Sequence, residues 1–278
     1  MLEGKIVKLI SNDYTVLSDK IYVCKCRGKF RNEKITPLVG DNVLFDPNNN
    51  YILEIKKRKN ELVRPPISNI DQAYIVTNVK PEFNSNLLDK LLCIIEFNNI
   101  KPIIIFTKID LLNEEEKKEI NKVISYYKSI GYEVYINTEL DKIKISMKNK
   151  ISVLSGQSGA GKSTLLNKID KNLNLKTDEI SVALGRGKHT TRHVELISVC
   201  DGLVADTPGF SSLDFANMKN TDIRDNFIEF NEYKEDCRYR DCMHLEEVDC
   251  NIKNNQKILK SRYLNYVSFI NNNKQNRW

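Results

Sequence analysis

The sequence predicts a multidomain protein with a small β-barrel at its N-terminus, a central α/β domain and a helical C-terminal domain. Three observations lead to this prediction. Short alternating apolar runs fill residues 1–65, strands alternate with amphipathic helices over 66–215, and only helical patterns follow over 216–278. At 278 residues the chain is long enough for two to three smaller domains, and its 41% hydrophobic content is ample for packed cores.

The first domain, residues 1–65, is predicted to be an OB-like barrel. Runs such as KIVKLI, YTVLS and KIYVCKC are separated by turn signals that include Ser-Asn-Asp and Asp-Pro-Asn-Asn-Asn, a pattern typical of short antiparallel strands. Pro65 and Pro66 cannot donate to a strand ladder. We therefore expect the second domain to begin there.

The second domain, residues 66–215, is predicted to be built on a mostly parallel, doubly wound sheet. The apolar segments AYIVTNV, PIIIF, YEVYI, ISVLS, VELISVC and GLVAD alternate with helical segments such as LLDKLLCIIEF. This alternation indicates strands joined by crossover helices.

A phosphate-binding loop is predicted where the strand ISVLS meets the helix GKSTLLNKI. The segment GQSGAGKS fits G-x-x-x-x-G-K-S/T in the context that this motif requires. Its backbone N–H groups would surround phosphate oxygens, while Lys162 reaches the outer phosphates and Ser163 ligates Mg²⁺. A glycine-rich turn without a ligand is the alternative. The expected nucleotide-binding residues are Gly156, Gln157, Ser158, Gly159, Ala160, Gly161, Lys162, Ser163 and Thr164.

Two later segments are expected to complete the phosphate side. Asp206 ends the strand GLVAD, where it can hold Mg²⁺ through water, and Gly209 can offer its N–H to a γ-phosphate. In the basic, hydroxyl-rich segment ALGRGKHTTRH, either Thr190 or Thr191 is the candidate Mg²⁺ ligand. An ordinary turn at Asp206 and a ligand-free surface loop are the alternatives.

The tetrapeptide TKID, which follows PIIIF, predicts a guanine site. Asp110 can accept from both N1–H and the 2-amino group of guanine, a pair that adenine does not present, and Lys108 would lie along the base. Asn is more usual at the first position, so we expect the base contact of Thr107 to be weakened or replaced. The later segment YINTEL offers Asn137 and Thr138 as further candidate contacts.

The motifs stand in an unusual order, because a small GTPase has its phosphate loop before the base-reading tetrapeptide. Joining the ends of an ordinary domain and cutting it elsewhere leaves the sheet and site intact, so the order predicts a circular permutation. The segment after Gly209 then leads almost directly into the C-terminal helices. We expect the nucleotide state to be transmitted to them.

The C-terminal domain is predicted to bind zinc through C-x4-C-x-H-x5-C, formed by Cys237, Cys242, His244 and Cys250. Three thiolates and one imidazole make a closed tetrahedral site with no position for water, so the metal would be structural. Scattered cysteines in a helical tail are the alternative. The odd total of seven cysteines argues against a disulfide framework. The others, expected to pack in strands or a helix, are Cys24, Cys26, Cys93 and Cys200.

The charge distribution favours a nucleic-acid partner. The net charge is +6, and residues 20–34 hold six basic residues and one acidic residue, interleaved with Tyr22 and Phe30. In a barrel, these groups suit phosphate contact and base stacking; a solvated lysine-rich hairpin is the alternative. No apolar run approaches the roughly 20 residues of a membrane span. We expect a cytoplasmic monomer without a membrane partner.

Taken together, TKID, GQSGAGKSTLLN, GRGKHTTRH, DTPGF and the cysteine-histidine run resemble the circularly permuted GTPase family of ribosome small subunit-dependent GTPase A (RsgA, also called YjeQ). The similarity covers essentially the whole chain, with an OB-fold before the GTPase and a zinc domain after it. It implies hydrolysis of GTP to GDP and phosphate, with Mg²⁺, stimulated by the small (30S) ribosomal subunit during its late maturation. It also implies binding to 16S rRNA. Thr107 departs from the commoner Asn.

The glutamine that usually positions the attacking water in a GTPase is missing from its expected place in this sequence. Phe210 follows Gly209, and no Gln occurs in the next fifteen residues, so we expect slow intrinsic turnover. His189 and His193 flank the switch threonines, and either can position water. The family resemblance favours His189, whereas a solvent-exposed histidine is the alternative.

Two other functions fit parts of this pattern. A P-loop ATPase or small-molecule kinase would share the phosphate loop, but Asp110 argues against it. An RNA-binding protein that uses GTP only as a structural ligand would show the same motifs without turnover.

Overall fold

The structure is a computed structural model, and it divides the chain into two compact units. Unit 1 holds residues 1–74, 139–154 and 161–210, and unit 2 holds 75–138, 155–160 and 211–278. The three-domain division at 65 and 215 remains a prediction. The residues that the structure describes are 1–26, 30, 35–62, 65–171, 173, 194–206 and 214–275, with the side chains of 206, 274 and 275 left out.

The described strands and helices follow the alternation expected from the sequence. In chain order the strands are β1 (Leu2–Ile10), β2 (Asp13–Leu17), β3 (Ile21–Cys26), β4 (Asn42–Asp46), β5 (Tyr51–Ile55), β6 (Glu61–Leu62), β7 (Ile67–Ser68), β8 (Gln72–Asn78), β9 (Lys101–Thr107), β10 (Glu133–Ile136), β11 (Ile151–Ser155), β12 (Glu195–Val199) and β13 (Gly202–Asp206). The helices are α1 (Ser85–Phe97), α2 (Glu114–Ser129), α3 (Leu140–Met147), α4 (Lys162–Ile169), α5 (Asn220–Asp225) and α6 (Lys260–Gln275).

The first five strands form the barrel of unit 1. Their order is β1-β2-β3-β5-β4, and β4 pairs back onto β1 with Leu2 opposite Phe45, which closes the barrel. The pairing of β3 with β5 is parallel and the other pairings are antiparallel. Alternate residues of β2, Tyr14 and Val16, are buried, as expected for strands with one face inward. The predicted OB-like barrel is confirmed.

The rest of unit 1 continues from the barrel into an α/β sheet. Strand β12 pairs with β1 through Lys8 and Glu195, whose side chains form an ion pair of 2.6 Å. Next to it lies β13, antiparallel to β12 and parallel to β11. This places the carboxyl end of β11, where the phosphate loop begins, beside the carboxyl end of β13.

Unit 2 contains β9, β10, the second half of β8 and the C-terminal helices. Strand β9 pairs in parallel with β10, and every residue of β8 is buried, as in a sheet covered on both faces. Helix α2 begins with a capping box in which Asn113 and Glu116 bond each other's backbone N–H. The predicted mostly parallel sheet is confirmed.

The C-terminal segment of unit 2 is helical around an aromatic core. This core contains Phe227, Phe230, Tyr266 and Phe269, and it also takes in Cys93 of α1. The sequence pattern NIKNNQKILKSRYLNYVSFI suggested one helix, but α6 begins only at Lys260. The segment NNQK forms turns before α6, because side-chain amides bond nearby backbone groups, as when Asn255 accepts from the N–H of Lys257.

Within the parts of the chain that the structure describes, no helix combines the length and the apolar character that crossing a membrane requires.

Candidate functional site

The phosphate loop lies between β11 and α4, in the strand-loop-helix context predicted for it. Three of its glycines have left-handed backbone angles: φ is 126° at Gly156, 73° at Gly159 and 96° at Gly161. A Cβ added to Gly156 would lie 2.0 Å from the carbonyl oxygen of Val76. Only glycine therefore fits at the start of this loop.

The first turn of α4 presents the charged and hydroxyl groups of the motif. Gly161 is the residue before the helix, Ser163 is buried, and Thr164 is exposed. Burial lowers the pKa of Lys162 from its usual value, because a low-dielectric surrounding disfavours the ammonium form. A phosphate placed here would favour the charged form again, so the loop is suited to an anionic ligand.

The base-reading tetrapeptide starts at the carboxyl end of β9. Thr107 is 3% exposed, and its hydroxyl donates to the carbonyl oxygen of Ala160 at 2.7 Å. Lys108 has a left-handed backbone, with its Nζ 3.5 Å from the carbonyl oxygen of Lys80. Asp110 lies in the following 3-10 turn and is exposed. The strand end is thus bonded to the phosphate loop, and the acid that would read the base faces solvent.

The second candidate base loop leaves β10 beside this strand end. The backbone N–H of Asn137 donates to the carbonyl oxygen of Phe106 at 2.9 Å. Asn137 is half-buried and Thr138 is exposed. The loops after β9 and β10 therefore leave the same edge of the unit 2 sheet, as expected for parallel neighbours.

The predicted metal ligands of the C-terminal domain lie together. The ligand atoms of Cys237, Cys242, His244 and Cys250 are all within 4.8 Å of one another. Nδ1 of His244 is 3.7 Å from Sγ of Cys237 and 3.4 Å from Sγ of Cys250. A tetrahedral zinc ion with ordinary Zn–S and Zn–N bond lengths would space such atoms by about 3.6 Å. The spacing therefore fits zinc.

The chemistry of the four groups also fits a zinc ion. Burial, with the nearby Arg224 guanidinium, lowers the pKa of His244 to about 4, which keeps the imidazole neutral as a metal requires. Burial raises the pKa of Cys242 to about 12, so a cation is needed to hold its thiolate. The backbone N–H of Asn251 donates to Sγ of Cys237 and that of Lys253 to Sγ of Cys250, each at 3.4 Å. Such bonds orient and stabilise thiolate ligands.

Comparison with known proteins gives consistent results over nearly the whole chain. Sequence-family models match residues 3–52, described as "RsgA N-terminal domain", and residues 55–216, described as "RsgA GTPase". This chain belongs to the RsgA GTPase family.

Similar proteins of the RsgA family match this chain over nearly its whole length. A "Small ribosomal subunit biogenesis GTPase RsgA 2" of Oceanobacillus iheyensis is 50% identical, and a "Small ribosomal subunit biogenesis GTPase RsgA" of Bacillus pumilus is 47% identical, each over 97% of both chains. The solved structure of YloQ, described as a circularly permuted GTPase, has a TM-score of 0.83 at 40% identity; the match covers 100% of this chain and 96% of YloQ. YjeQ from Thermotoga maritima has a TM-score of 0.86 at 31% identity, covering 98% of both chains.

RsgA family membership confirms several predictions made from the sequence. The resemblance to the RsgA family, the circularly permuted fold, the GTPase activity and the use of Mg²⁺ with GTP are all supported, and the Cys3His cluster is consistent with a structural zinc ion. The unusual motif order therefore has the explanation expected of it.

Part of the predicted RsgA site lies outside the described residues. This applies to His189, to Thr190 and Thr191, and to Gly209. Asp206 is described only as the last residue of β13, where its backbone pairs opposite Glu195. The Mg²⁺ and γ-phosphate side of the site therefore stays a prediction.

The prediction that Tyr22 and Phe30 of the barrel stack on bases is corrected by the structure. Phe30 is only 5% exposed, so its ring is not available to a base. Tyr22 is half-buried and packs against Phe45, with ring centroids 4.9 Å apart, while the ammonium of Lys20 lies 5.2 Å from the Tyr22 ring. A segment in which basic and aromatic residues are interleaved does not show which aromatic side chains point into the core. In this protein the side chain of Phe30 is buried.

A buried ion cluster in unit 2 was missed by the sequence analysis. Arg262 of α6 is 1% exposed, and its guanidinium donates to Asp89 of α1 at 2.7 Å and to both carboxylate oxygens of Glu229. Its guanidinium carbon lies 4.6 Å from the ring centroid of Phe227. The sequence contained one sign of this cluster, because Asp89 is a charged residue on the apolar face of the helix LLDKLLCIIEF.

The same cluster includes neutral donors that complete the bonding of Asp89. Tyr127 of α2 donates to one carboxylate oxygen at 2.6 Å, and Asn265 of α6 donates to the other at 2.7 Å. The cluster therefore joins α1 and α2, which flank the base-reading strands, to the C-terminal helix.

The exposed carboxylate of Asp110 gives a first prediction. We expect Asp110→Asn to weaken GTP and GDP binding by at least about tenfold, because an amide cannot accept from both N1–H and the 2-amino group of guanine. The same variant should bind xanthine nucleotides better than the wild type, since the amide can donate to the 2-oxo group. Competition between labelled GDP and XDP measures both effects, and Asp141→Asn, at an exposed position of α3, is the control. An unchanged preference for guanine would remove Asp110 from the base site.

Proposed function

We propose that this chain hydrolyses GTP in the biogenesis of the small ribosomal subunit. The observation that supports this most is the hydrogen bond from Thr107 to Ala160, which joins the base motif and the phosphate loop although they are 53 residues apart in sequence. A single nucleotide needs both motifs at one place. The relatives of the chain are named for small ribosomal subunit biogenesis.

The proposed roles follow the motif positions. Lys108 and Asp110 bind the guanine base, with Asn137 and Thr138 on the neighbouring loop. The loop from Gly156 to Thr164 binds the phosphates. For the Mg²⁺ that accompanies GTP, the proposed ligands are Ser163 and one of Thr190 and Thr191, with Asp206 acting through water and Gly209 bonding the γ-phosphate.

Hydrolysis is proposed to need a histidine in place of the usual glutamine. A water molecule attacks the γ-phosphorus as the bond to the β-phosphate oxygen breaks, which gives GDP and phosphate. Lys162 and the loop N–H groups stabilise the negative charge that develops on the phosphoryl oxygens. His189 is proposed to orient the water or accept its proton.

The small (30S) subunit and its 16S rRNA are the proposed partners. The part of the barrel around Lys20 and Tyr22 is the proposed RNA contact, because a cationic side chain near an aromatic ring suits a polynucleotide backbone and its bases. Since the ribosome is assembled in the cytoplasm, we propose that the chain acts there, as a monomer.

Phosphate release with and without small ribosomal subunits tests this function. We expect slow release by the protein alone and at least about a tenfold increase with small subunits, whereas large subunits have no effect. The variant His189→Ala should reduce the stimulated rate by roughly 100-fold or more and leave GDP affinity unchanged. A rate that small subunits do not change would refute the proposed function, and a fully stimulated His189 variant would refute the role of that side chain alone.

A further inference from the structure

The helix that follows the base-reading tetrapeptide is tied at its start to the segment that leaves β8. Nζ of Lys80, just after β8, donates to Oε1 of Glu116 in the first turn of α2 at 2.5 Å. The other oxygen of the same carboxylate, Oε2, accepts from the N–H of Asn113 at 3.0 Å. Glu116 therefore connects the segment after β8 with the residue that caps α2.

The backbone of Lys80 also contacts the tetrapeptide. Its carbonyl oxygen accepts from Nζ of Lys108 at 3.5 Å and from the side-chain amide of Asn78. Lys108 is the residue expected to lie along the guanine base, and its backbone is left-handed, with φ of 61°. The place of its ammonium group therefore depends on where the carbonyl of Lys80 lies.

A cavity lies between the two segments that the ion pair joins. Its volume is about 670 Å³, and it is lined by residues 79–83 on one side and by residues from 112–120 on the other. Side chains that face an open space lack packing partners there, so they hold the two segments together less firmly than a filled core would. The ion pair between Lys80 and Glu116 spans this space.

We infer that Lys80 and Glu116 are positioning residues for recognition of the guanine base. Their ion pair holds the segment after β8 against the start of α2, and the carbonyl of Lys80 then keeps the side chain of Lys108 in place along the base. The same pair holds the Asn113 cap, which follows Asp110 closely in the chain. The inference rests on the proposed nucleotide site.

The charges and the exposure of the pair suit this role. The hydrogen bond from Lys80, followed by that from the N–H of Asn113, lowers the pKa of Glu116 from its usual value, so the carboxylate is ionised at neutral pH. The side chains of Lys80 and Glu116 are 31% and 38% exposed. Ion pairs with this exposure contribute little to global stability. Removing the pair should therefore loosen the base site without unfolding unit 2.

The test compares Lys80→Met, which removes the ammonium group and keeps most of the side-chain length, with Lys80→Arg, which keeps a cation. We expect the methionine variant to bind GDP about fivefold more weakly and the arginine variant to stay within about twofold of the wild type. The affinity for ADP, which uses the phosphate loop but lacks the groups that Asp110 reads, should not change. Competition with labelled GDP measures the GDP-to-ADP preference, which should fall about fivefold in Lys80→Met.

A change on the other side of the ion pair should give the same result. Glu116→Gln loses the charge but keeps an oxygen that can accept from the N–H of Asn113, since glutamine also serves at this position of a capping box. It should lower the GDP-to-ADP preference as much as Lys80→Met does. The double variant should be no worse than either single variant, because both remove one interaction.

A matched control separates positioning from a general effect of charge. Lys122→Met removes the cation of another exposed ion pair of α2, that with Glu119, and should keep the wild-type preference. The inference is wrong if Lys80→Met keeps the wild-type preference, if arginine does not restore it, if ADP affinity falls as much as GDP affinity, or if Lys122→Met has the same effect. A wild-type protein that does not prefer GDP to ADP would instead overturn the proposed nucleotide site.

Discussion

Arg262→Ala should lower the free energy of unfolding of unit 2 by about 3–5 kcal/mol, the usual cost of removing one partner from a buried ion cluster. The side chain is 1% exposed and neutralises part of the charge of Asp89 and Glu229. Burial raises the pKa of Asp89, while the guanidinium opposes that shift. Without Arg262, both carboxylates would lie in the core without their cation. Urea unfolding, with amide exchange of α1 and α6, measures the loss.

A second variant distinguishes the charge from the volume of Arg262. Arg262→Met fills most of the same space and still leaves the two carboxylates unpaired, so it should be nearly as unstable as alanine. Adding Asp89→Asn and Glu229→Gln to Arg262→Met should recover part of the loss, since no charge then remains buried. Arg238→Ala, which removes an exposed partner of Asp249, should cost less than about 1 kcal/mol. Equal effects at Arg238 and Arg262 would contradict the importance of the buried cluster.

Removal of zinc should unfold the segment from Cys237 to Cys250 and expose the aromatic core beneath it. The segment has little regular structure of its own, with one 3-10 turn just before Cys237. His244 packs edge-on against Phe230 with ring centroids 5.6 Å apart, so the ligand loop and the core are directly connected. Structural zinc sites contribute roughly 10–16 kcal/mol of apparent binding energy in isolated peptides. We expect one zinc ion per chain by metal analysis.

The zinc prediction has a control within the same chain. Cys242→Ser should lose the metal and increase amide exchange over α6, whereas Cys200→Ser, at a half-buried cysteine outside the cluster, should keep one zinc ion. A strong chelator should reproduce the effect of Cys242→Ser in the wild type. Protein purified without zinc that still shows full protection of α6 would contradict a structural metal.

The sequence predicted those parts of the fold that depend on local pattern. The alternation of apolar and polar residues in β2 predicted which of its faces is buried. The apolar run that forms β8 predicted a sheet covered on both faces, and every residue of β8 is buried. The phosphate loop was predictable because glycine, lysine and serine at fixed spacing satisfy one known geometry, which the left-handed angle and crowded Cα of Gly156 confirm.

The partners of buried polar groups were not predictable, because they depend on contacts between distant segments. Thr107 looked like a weak base contact, yet its hydroxyl bonds the phosphate loop 53 residues later. Phe30 looked like an RNA-stacking residue and proved to be buried. Asp89 and Arg262 carry no local signal that they meet. Composition and spacing report on neighbours along the chain, whereas these contacts are set by packing.

The long separation between Asp89 and Arg262 has a consequence for synthesis of the protein. The two residues are 173 positions apart, so the nascent chain exposes Asp89 well before its cation exists. At 5–20 residues per second, translation of that interval takes roughly 9–35 s. During this time the nascent part of unit 2 contains a carboxylate without its cation, at a position that becomes core. Final compaction of unit 2 must therefore wait until α6 leaves the ribosome, so a product truncated before Arg262 cannot complete it.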